Sequence, residues 1–447
     1  MNFCIGAINL ILAFFMLYIC MSYWNKTKSI VLQKSNNCYI LDFLFSICFL
    51  KLGLYYFMPS VTHLLTDWSG VLNANVDPIE VMYIYILEFI SYSIYFYTLK
   101  TCISHYRPNL SIDLYANSNS FVSCVLVGGI SFYLGTSFIK EGSIMDSLWL
   151  FVPFFKGCSL ALSIFVLVNG KQVFNILNVC LAICLLCIYS FYAISVGVRS
   201  LIFWPSLLFI YFSFVFNKKR LKVFLPMGIG GLVFLGVFQN VLVSQRGNIN
   251  KNASTIERVS IMTDSHTKSR SISLFDEVDS RFGAMTTYGV GYLRLAHDEK
   301  YAGLEPVINS LYAPIPRAIF KDKPVPCSVD GTEYGQGMYM GMAAVTHNPY
   351  CMTEPTTAGH AYWELGILGV LLYSIIPAIY VYWCMVFFSK FGLISLPIFY
   401  GIFKGEFLEP KLWVSAIVLQ LFQYNLPSCI FYILYKKINK NFITHEW

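Results

Sequence analysis

Residues 3–24 read FCIGAINLILAFFMLYICMSYW, with no charged side chain anywhere in the run. A helix needs about 20 apolar residues to cross a hydrocarbon core of ~30 Å. This stretch is too long for the apolar core of a secretory signal, and Lys26 and Lys28 follow it as a basic stop. It therefore reads as a first membrane span. Ten more apolar runs follow, at 39–58, 81–99, 121–139, 148–168, 174–196, 200–216, 223–243, 361–388, 392–403 and 412–434. The runs 200–216 and 392–403 are short and carry Pro205 and Pro397. The expected fold is an all-α polytopic membrane protein with about eleven transmembrane helices.

Composition agrees. Of 447 residues, 57% are hydrophobic and only 12% are charged. Soluble domains carry roughly 25% charge. That deficit excludes an ordinary cytosolic enzyme, a disordered chain and a nucleic-acid binder. The net charge of +7 needs another explanation, and topology supplies it. Short loops at 25–38, 100–120, 169–173, 217–222 and 389–391, with the tail 435–447, are rich in Lys and Arg. The alternate set at 59–80, 140–147, 197–199 and 404–411 holds only Lys140, Arg199, Lys404 and Lys411. Cytoplasmic loops carry the basic excess, so the N-terminus is expected outside and the C-terminus inside, as an odd number of crossings requires. The surplus cations then face lipid headgroups rather than a nucleic acid.

One segment breaks the alternation. Residues 244–360 form a long outer loop between spans eight and nine. A structureless loop of that length is improbable in a compact protein, so short helices and a function are expected there. The chain thus divides into a bundle of eight spans (1–243), the outer segment (244–360), and a bundle of three spans with a cytoplasmic tail (361–447). Of 14 Cys, most lie in spans as small apolar residues. Cys327 and Cys351 share the outer segment and read either as a disulfide or as two buried thiols. No Cys or His spacing points to a metal.

Ionisable residues inside spans are costly and mark partners or pathways. They are Asp42, Lys51, Glu88 and Lys156. Lys156 is mid-span; the others read equally as buried pairs or as side chains reaching the interface. On the outer side, Arg199 sits in a tight turn (SVGVRSLIFWPS), Arg246 in VSQRGNI, Arg281 in SRFGAMTTYGVGY, and Arg317 in YAPIPRAIFKDKPVP. Arg294 follows Arg281 in the same region. Guanidinium forks suit phosphate oxygens, although anchoring to lipid headgroups accounts for any one of them except Arg199, because the external short loops are otherwise almost devoid of Arg. The run THNPYCMTEPTTAGHAYWELGILG holds His347, Glu354, His360 and Glu364. His is the commonest general base near neutrality. Glu364 lies four residues after His360, so on a helix the two share a face. An interfacial helix start explains the same residues. The GILG that follows is expected to let the helix approach a neighbour closely. The Tyr-Gly stretches YGVGY and VDGTEYGQGMYMGM read as tight turns leaning toward saccharide.

These residues carry a resemblance. A short outer turn bearing Arg (GVRS), the Pro-Arg then Lys-Pro pattern of PIPRAIFKDKPVP, and the junction EPTTAGHAYWELGILG together resemble the Wzy-type O-antigen polymerases. The likeness covers most of the chain and is architectural more than literal. The related O-antigen ligases typically show a His-Asn pair before a Gly-x-x-Gly helix. Here His347-Asn348 stands well before Gly366, and His360 lacks the Asn. The earlier outer loop of some members shrinks here to the Arg199 turn.

The resemblance implies a GT-C-like glycosyltransferase of the bacterial cell inner membrane, with its long loop in the periplasm. It would polymerise undecaprenyl-diphosphate-linked oligosaccharide repeat units in lipopolysaccharide biosynthesis. It would use no metal and no other cofactor. Its partners would be a lipid-linked oligosaccharide donor and acceptor, membrane lipids and a chain-length regulator protein, with no nucleic acid. Arg199, Arg246, Arg281 and Arg317 are then the candidates for the departing diphosphate. His347, His360 and Glu364 are the candidates for the base. The alternatives are an O-antigen ligase and a lipid-linked oligosaccharide flippase or transporter.

Overall fold

The structure is a computed structural model that describes residues 2–33, 39–69, 71, 74–106, 119–135, 152–170, 174–196, scattered positions from 205 to 230, 283–298, 301–315, 317, 319–348, 356–391, 414–430 and 433–434. Among these there is no β-strand; Ser328 and Gln336 form an isolated bridge. The helices are α1 (Asn2–Leu32), α2 (Tyr39–Leu52), α3 (Met58–Leu65), α4 (Pro78–Tyr106), α5 (Asn119–Gly135), α6 (Val152–Asn169) and α7 (Ile176–Val196). They continue with α8 (Ala284–His297), α9 (Glu305–Leu311), α10 (Gly337–Thr346), α11 (Thr357–Phe391) and α12 (Val414–Gln420).

Among the described residues, five stretches are long and apolar enough to cross a membrane: Asn2–Leu32, Leu44–Leu65, Pro78–Tyr106, Ile176–Ala193 and Thr357–Phe387. Shorter apolar helices occupy Asn119–Leu134, Gly157–Asn169 and Val414–Ile430. The apolar runs 200–216 and 223–243 are described only at scattered positions, and 392–403 lies outside the described residues.

Several helices outrun the apolar stretches that announce them. α1 passes through Lys26 and Lys28 to Leu32, a length of about 46 Å. Nothing between 25 and 32 breaks a helix, so polarity alone does not end it. Past the apolar run its charge is spent on a partner. Lys28 Nζ bonds both oxygens of Asp42, at 2.9 and 3.0 Å, and Trp24 Nε1 donates to Asp42 Oδ1 at 2.8 Å. The span charge expected near an interface is thus the pin between α1 and α2.

α2 runs into α3 through a π turn, Gly53–Phe57, so helix replaces the expected loop as far as Leu65. Pro59 falls in the first turn of α3, where a missing N–H costs little. Tyr85 Oη donates to the Tyr56 carbonyl inside that π turn at 2.9 Å. A second π turn, Leu421–Asn425, extends α12.

α4 is the spine: α1 and α11 both pack along it. Its buried face carries Tyr85, Tyr92, Tyr95 and Phe96, stacked in offset or edge-on pairs with Tyr56 and Phe45. Ser91 and Ser374 share a buried hydrogen bond of 2.7 Å between α4 and α11. α5, α6 and α7 pack mutually; Gly129 meets Ser159 and Leu185, so a side chain there would push them apart. α8 lies against α4, α10 and α11.

The decisive irregularity is in α11. Leu365 (φ −134°, ψ 21°) and Gly366 (φ 61°, ψ −146°) are not helical. The element is a short half-helix, 357–364, followed by a long one. The GILG stretch was expected to serve close packing, and Gly369 does so, since a Cβ there would strike the Ala361 carbonyl of the half-helix. Gly366 meets nothing within 4 Å of where a Cβ would stand; its role is a backbone conformation that side-chain-bearing residues avoid. Gly366→Ala is therefore expected to lower stability by ~1–3 kcal/mol, read as a fall in the thermal midpoint of detergent-purified protein. Gly53→Ala, at helical φ/ψ with open space around it, is expected to be neutral or mildly stabilising.

Candidate functional site

The half-helix 357–364 begins and ends in apolar surroundings, so its orphan backbone groups need partners. At its start, the buried Glu88 of α4 accepts the Ala358 N–H through Oε1 at 3.0 Å. A carboxylate there also complements the positive end of the helix. At its end, the N–H groups of Ala302 and Gly303 donate to the carbonyls of Trp363 and Glu364, at 3.2 and 3.0 Å. Gly303 has φ +60°, which lets the chain present two successive N–H groups to the helix end.

On this half-helix His360 and Glu364 do share a face. His360 Nδ1 is 3.2 Å from Glu364 Oε1, and both side chains are fully buried. Tyr373, on the second half of α11, donates its hydroxyl to Glu364 Oε2. The result is a line Tyr373–Glu364–His360. An acidic side chain thus stands beside one ring nitrogen, Nδ1; a partner at that position can orient an imidazole and leave its other nitrogen for chemistry.

That other nitrogen, Nε2, faces the first turn of α10: a Cβ at Gly337 would overlap it. Tyr292 of α8 and Trp363 flank the imidazole edge-on, with ring centroids 5.2 and 5.3 Å away. Tyr292 Oη donates to the Gly337 carbonyl at 2.8 Å, tying α8 to the cover. Burial, with Glu364 nearby, pushes the Tyr292 phenol well above its usual range, so it stays a neutral donor.

YGVGY and the GMYMGM end of the second stretch are helical here, whereas residues 329–335 form the expected turns, with Gly331 at φ +74°. Gly289 and Gly291 lie in α8, and Gly337 and Gly341 in α10. None of the four has positive φ. They are small because the helices cross closely: a Cβ at Gly291 would strike the Gly341 carbonyl, and one at Gly341 the Tyr292 ring.

The remaining candidates fall apart in space. His347 is the left-handed C-cap of α10 (φ 56°), exposed, and a ten-residue helix (~15 Å) separates it from the end that covers His360. Arg317 is exposed in the turn after α9. Its neighbour Lys323 is spent inward, donating to the carbonyls of Ala313 and Ile315 at 2.8 and 2.9 Å. Arg199, Arg246 and Arg281 lie outside the described residues, as do Glu354 and Cys351. Cys327 is buried at φ 61°, its N–H donating to Ser310 Oγ at 2.9 Å. Lys156 belongs to α6. Arg294 is committed to Glu80 through Nε and Nη2, at 3.0 and 2.7 Å, and to the Asn75 carbonyl at 3.0 Å. The Glu80 hydrogen bond raises its pKa further. Among the described residues no cluster of three His, Cys, Asp or Glu is placed to hold a metal ion.

Glu88, which holds the start of the half-helix, is the residue of this site that the sequence signalled least. Its place depends on a partner 270 residues away, and no local spacing signals that. The chain matches no protein-family model, no curated protein and no solved structure.

Two measurements probe this geometry. Gly291→Ala should cost ~1–3 kcal/mol through overpacking, seen as lower folded yield and thermal midpoint. A double-mutant cycle on Glu80 and Arg294 should give a coupling of about 1 kcal/mol, at the upper end for part-exposed pairs because the contact is two-pronged.

Proposed function

We propose that the protein is a membrane glycosyltransferase that polymerises undecaprenyl-diphosphate-linked oligosaccharide repeat units into O-antigen. The observation that carries the reading is the His360–Glu364 pair, backed by Tyr373, on a half-helix where the apolar bundle meets the 283–348 region. In this reading His360 Nε2 takes the proton of the acceptor sugar hydroxyl as that oxygen attacks the anomeric carbon of the donor. The bond to the lipid diphosphate breaks, and its negative charge leaves with the diphosphate. Glu364 steadies the imidazolium that forms. Arginines on the outer side, Arg317 with Arg199, Arg246 and Arg281, neutralise the leaving group. His347 has no part in this chemistry, being remote from the pair. Because Gly337 and Tyr292 cover His360, catalysis in this reading requires the α10 end to lift when substrate enters.

The reading places eleven spans in the inner membrane, with the N-terminus and residues 244–360 in the periplasm and the C-terminus in the cytoplasm. It draws on the basic bias of the alternate short loops and on the resemblance in PIPRAIFKDKPVP and EPTTAGHAYWELGILG. A chain-length regulator would be a separate partner.

One observation favours a second reading. Discontinuous helices such as α11 line the substrate sites of secondary transporters, so a lipid-oligosaccharide transporter is the rival. The experiment is a deletion strain complemented with wild type, His360→Ala or Glu364→Gln. Wild type is expected to restore a ladder of long surface chains. His360→Ala should reduce polymer by roughly 100-fold or more at equal protein level, leaving core plus one repeat. A ladder surviving in His360→Ala removes the base assignment. Loss of every attached repeat on deletion indicates a ligase, and purified protein unable to lengthen lipid-linked units favours the transporter.

A further inference from the structure

The segment between the two ends of the site has its polarity inside out. On α9 two of the three buried residues are polar, beside Pro306. Asn309 is buried and donates to the Ser328 carbonyl at 2.9 Å; Ser310 is fully buried, bonded to the Pro306 carbonyl and to the Cys327 N–H. The outward residues are apolar: Leu304, Ile308 and Leu311 are 55%, 50% and 52% exposed. Their spacing of four and three puts them on one helix face. The chain on either side continues the pattern, with Tyr301 and Tyr312 exposed and Ile319 at 79%. A water-facing helix shows the opposite arrangement. Contiguous apolar surface of this kind marks a membrane or protein contact.

Its position selects between them. Just before α9, Ala302 and Gly303 hold the carbonyls at the break of α11, so the segment starts on a helix of the bundle. α9 then packs on α12, whose apolar continuation exposes Leu421, Leu426 and Ile430. The stripe thus belongs to a segment packed on a helix whose own exposed residues are apolar. Between residues 301 and 322 the exposed charged residues are Glu305, Arg317, Lys321 and Asp322, two of each sign.

We propose that residues 301–320 are an interfacial anchor, with Leu304, Ile308, Leu311, Tyr312 and Ile319 seated in the acyl chains of the adjoining phospholipid leaflet and the charged residues at headgroup level. The seat is held by apolar burial rather than by net charge, as in other in-plane elements. Tyr301 and Tyr312 sit where amphipathic rings prefer the interface. This part of the 244–360 region then lies in the membrane surface, not in the aqueous space beyond it. The inference does not depend on the saccharide chemistry above.

The test uses the full chain in vesicles of phosphatidylethanolamine and phosphatidylglycerol. Hydroxyl-radical footprinting of the wild-type protein is expected to oxidise Tyr301 and Tyr312 about fivefold less than Tyr334, which has comparable exposure in the isolated chain, because the radicals stay in water. A photo-crosslinking phenylalanine replacing Ile308 or Ile319 should yield phospholipid adducts, and one replacing Asp330 should not. Equal oxidation of the three tyrosines, or adducts no more frequent at 308 and 319 than at 330, overturns the proposal. Adducts to a second copy or to another protein overturn it in favour of a protein interface.

Discussion

Apolar surroundings do not forgive an unpaired backbone group, and α11 breaks inside them. Leaving an amide or carbonyl bare there costs several kcal/mol, so the break at Leu365–Gly366 dictates what must surround it. Glu88 comes to the start of the half-helix, and Ala302 and Gly303 come to its end. Those contacts bring α4, the half-helix and the 301–348 region to one place. Both α9, with its inverted polarity, and α10, covering His360, follow from where that chain is tied.

The same arrangement gives the His360–Glu364 pair its character. A short, doubly anchored helix holds the pair more rigidly than a frayed helix end would. Tyr373 reaches Glu364 from the far side of the break, so the kink is also what brings a third member to the line. The cover is secured in turn: Tyr292 ties α8 to Gly337, and Arg294 clasps α8 to Glu80 on α4. Glycines at 291, 337 and 341 let these elements close without voids.

Much of the fold was legible because span-forming helices announce themselves by length and apolarity. The run 3–24 needs no context to be recognised, and His360 and Glu364 fall four apart whatever surrounds them. Helix ends were less legible: α1 and α3 run on because polar residues do not stop a helix that has no breaker. GILG was legible as glycine-rich but not as a break, since glycine serves close packing and positive φ equally well. YGVGY and the GMYMGM end of VDGTEYGQGMYMGM were read as turns for the same reason: glycine's smallness fits a turn and a helix crossing alike.

The sequence by itself determined that the chain is built of apolar helices and that His360 and Glu364 lie one turn apart, because both depend only on neighbours along the chain. Tertiary structure alone decided that His347 is remote, that Glu88 caps the half-helix, that Arg294 is consumed by Glu80, and that α9 turns its apolar face outward. Each of those rests on a contact between segments far apart in the chain. Such contacts are selected by which buried polar groups must be satisfied once the helices have packed, and no local pattern encodes that.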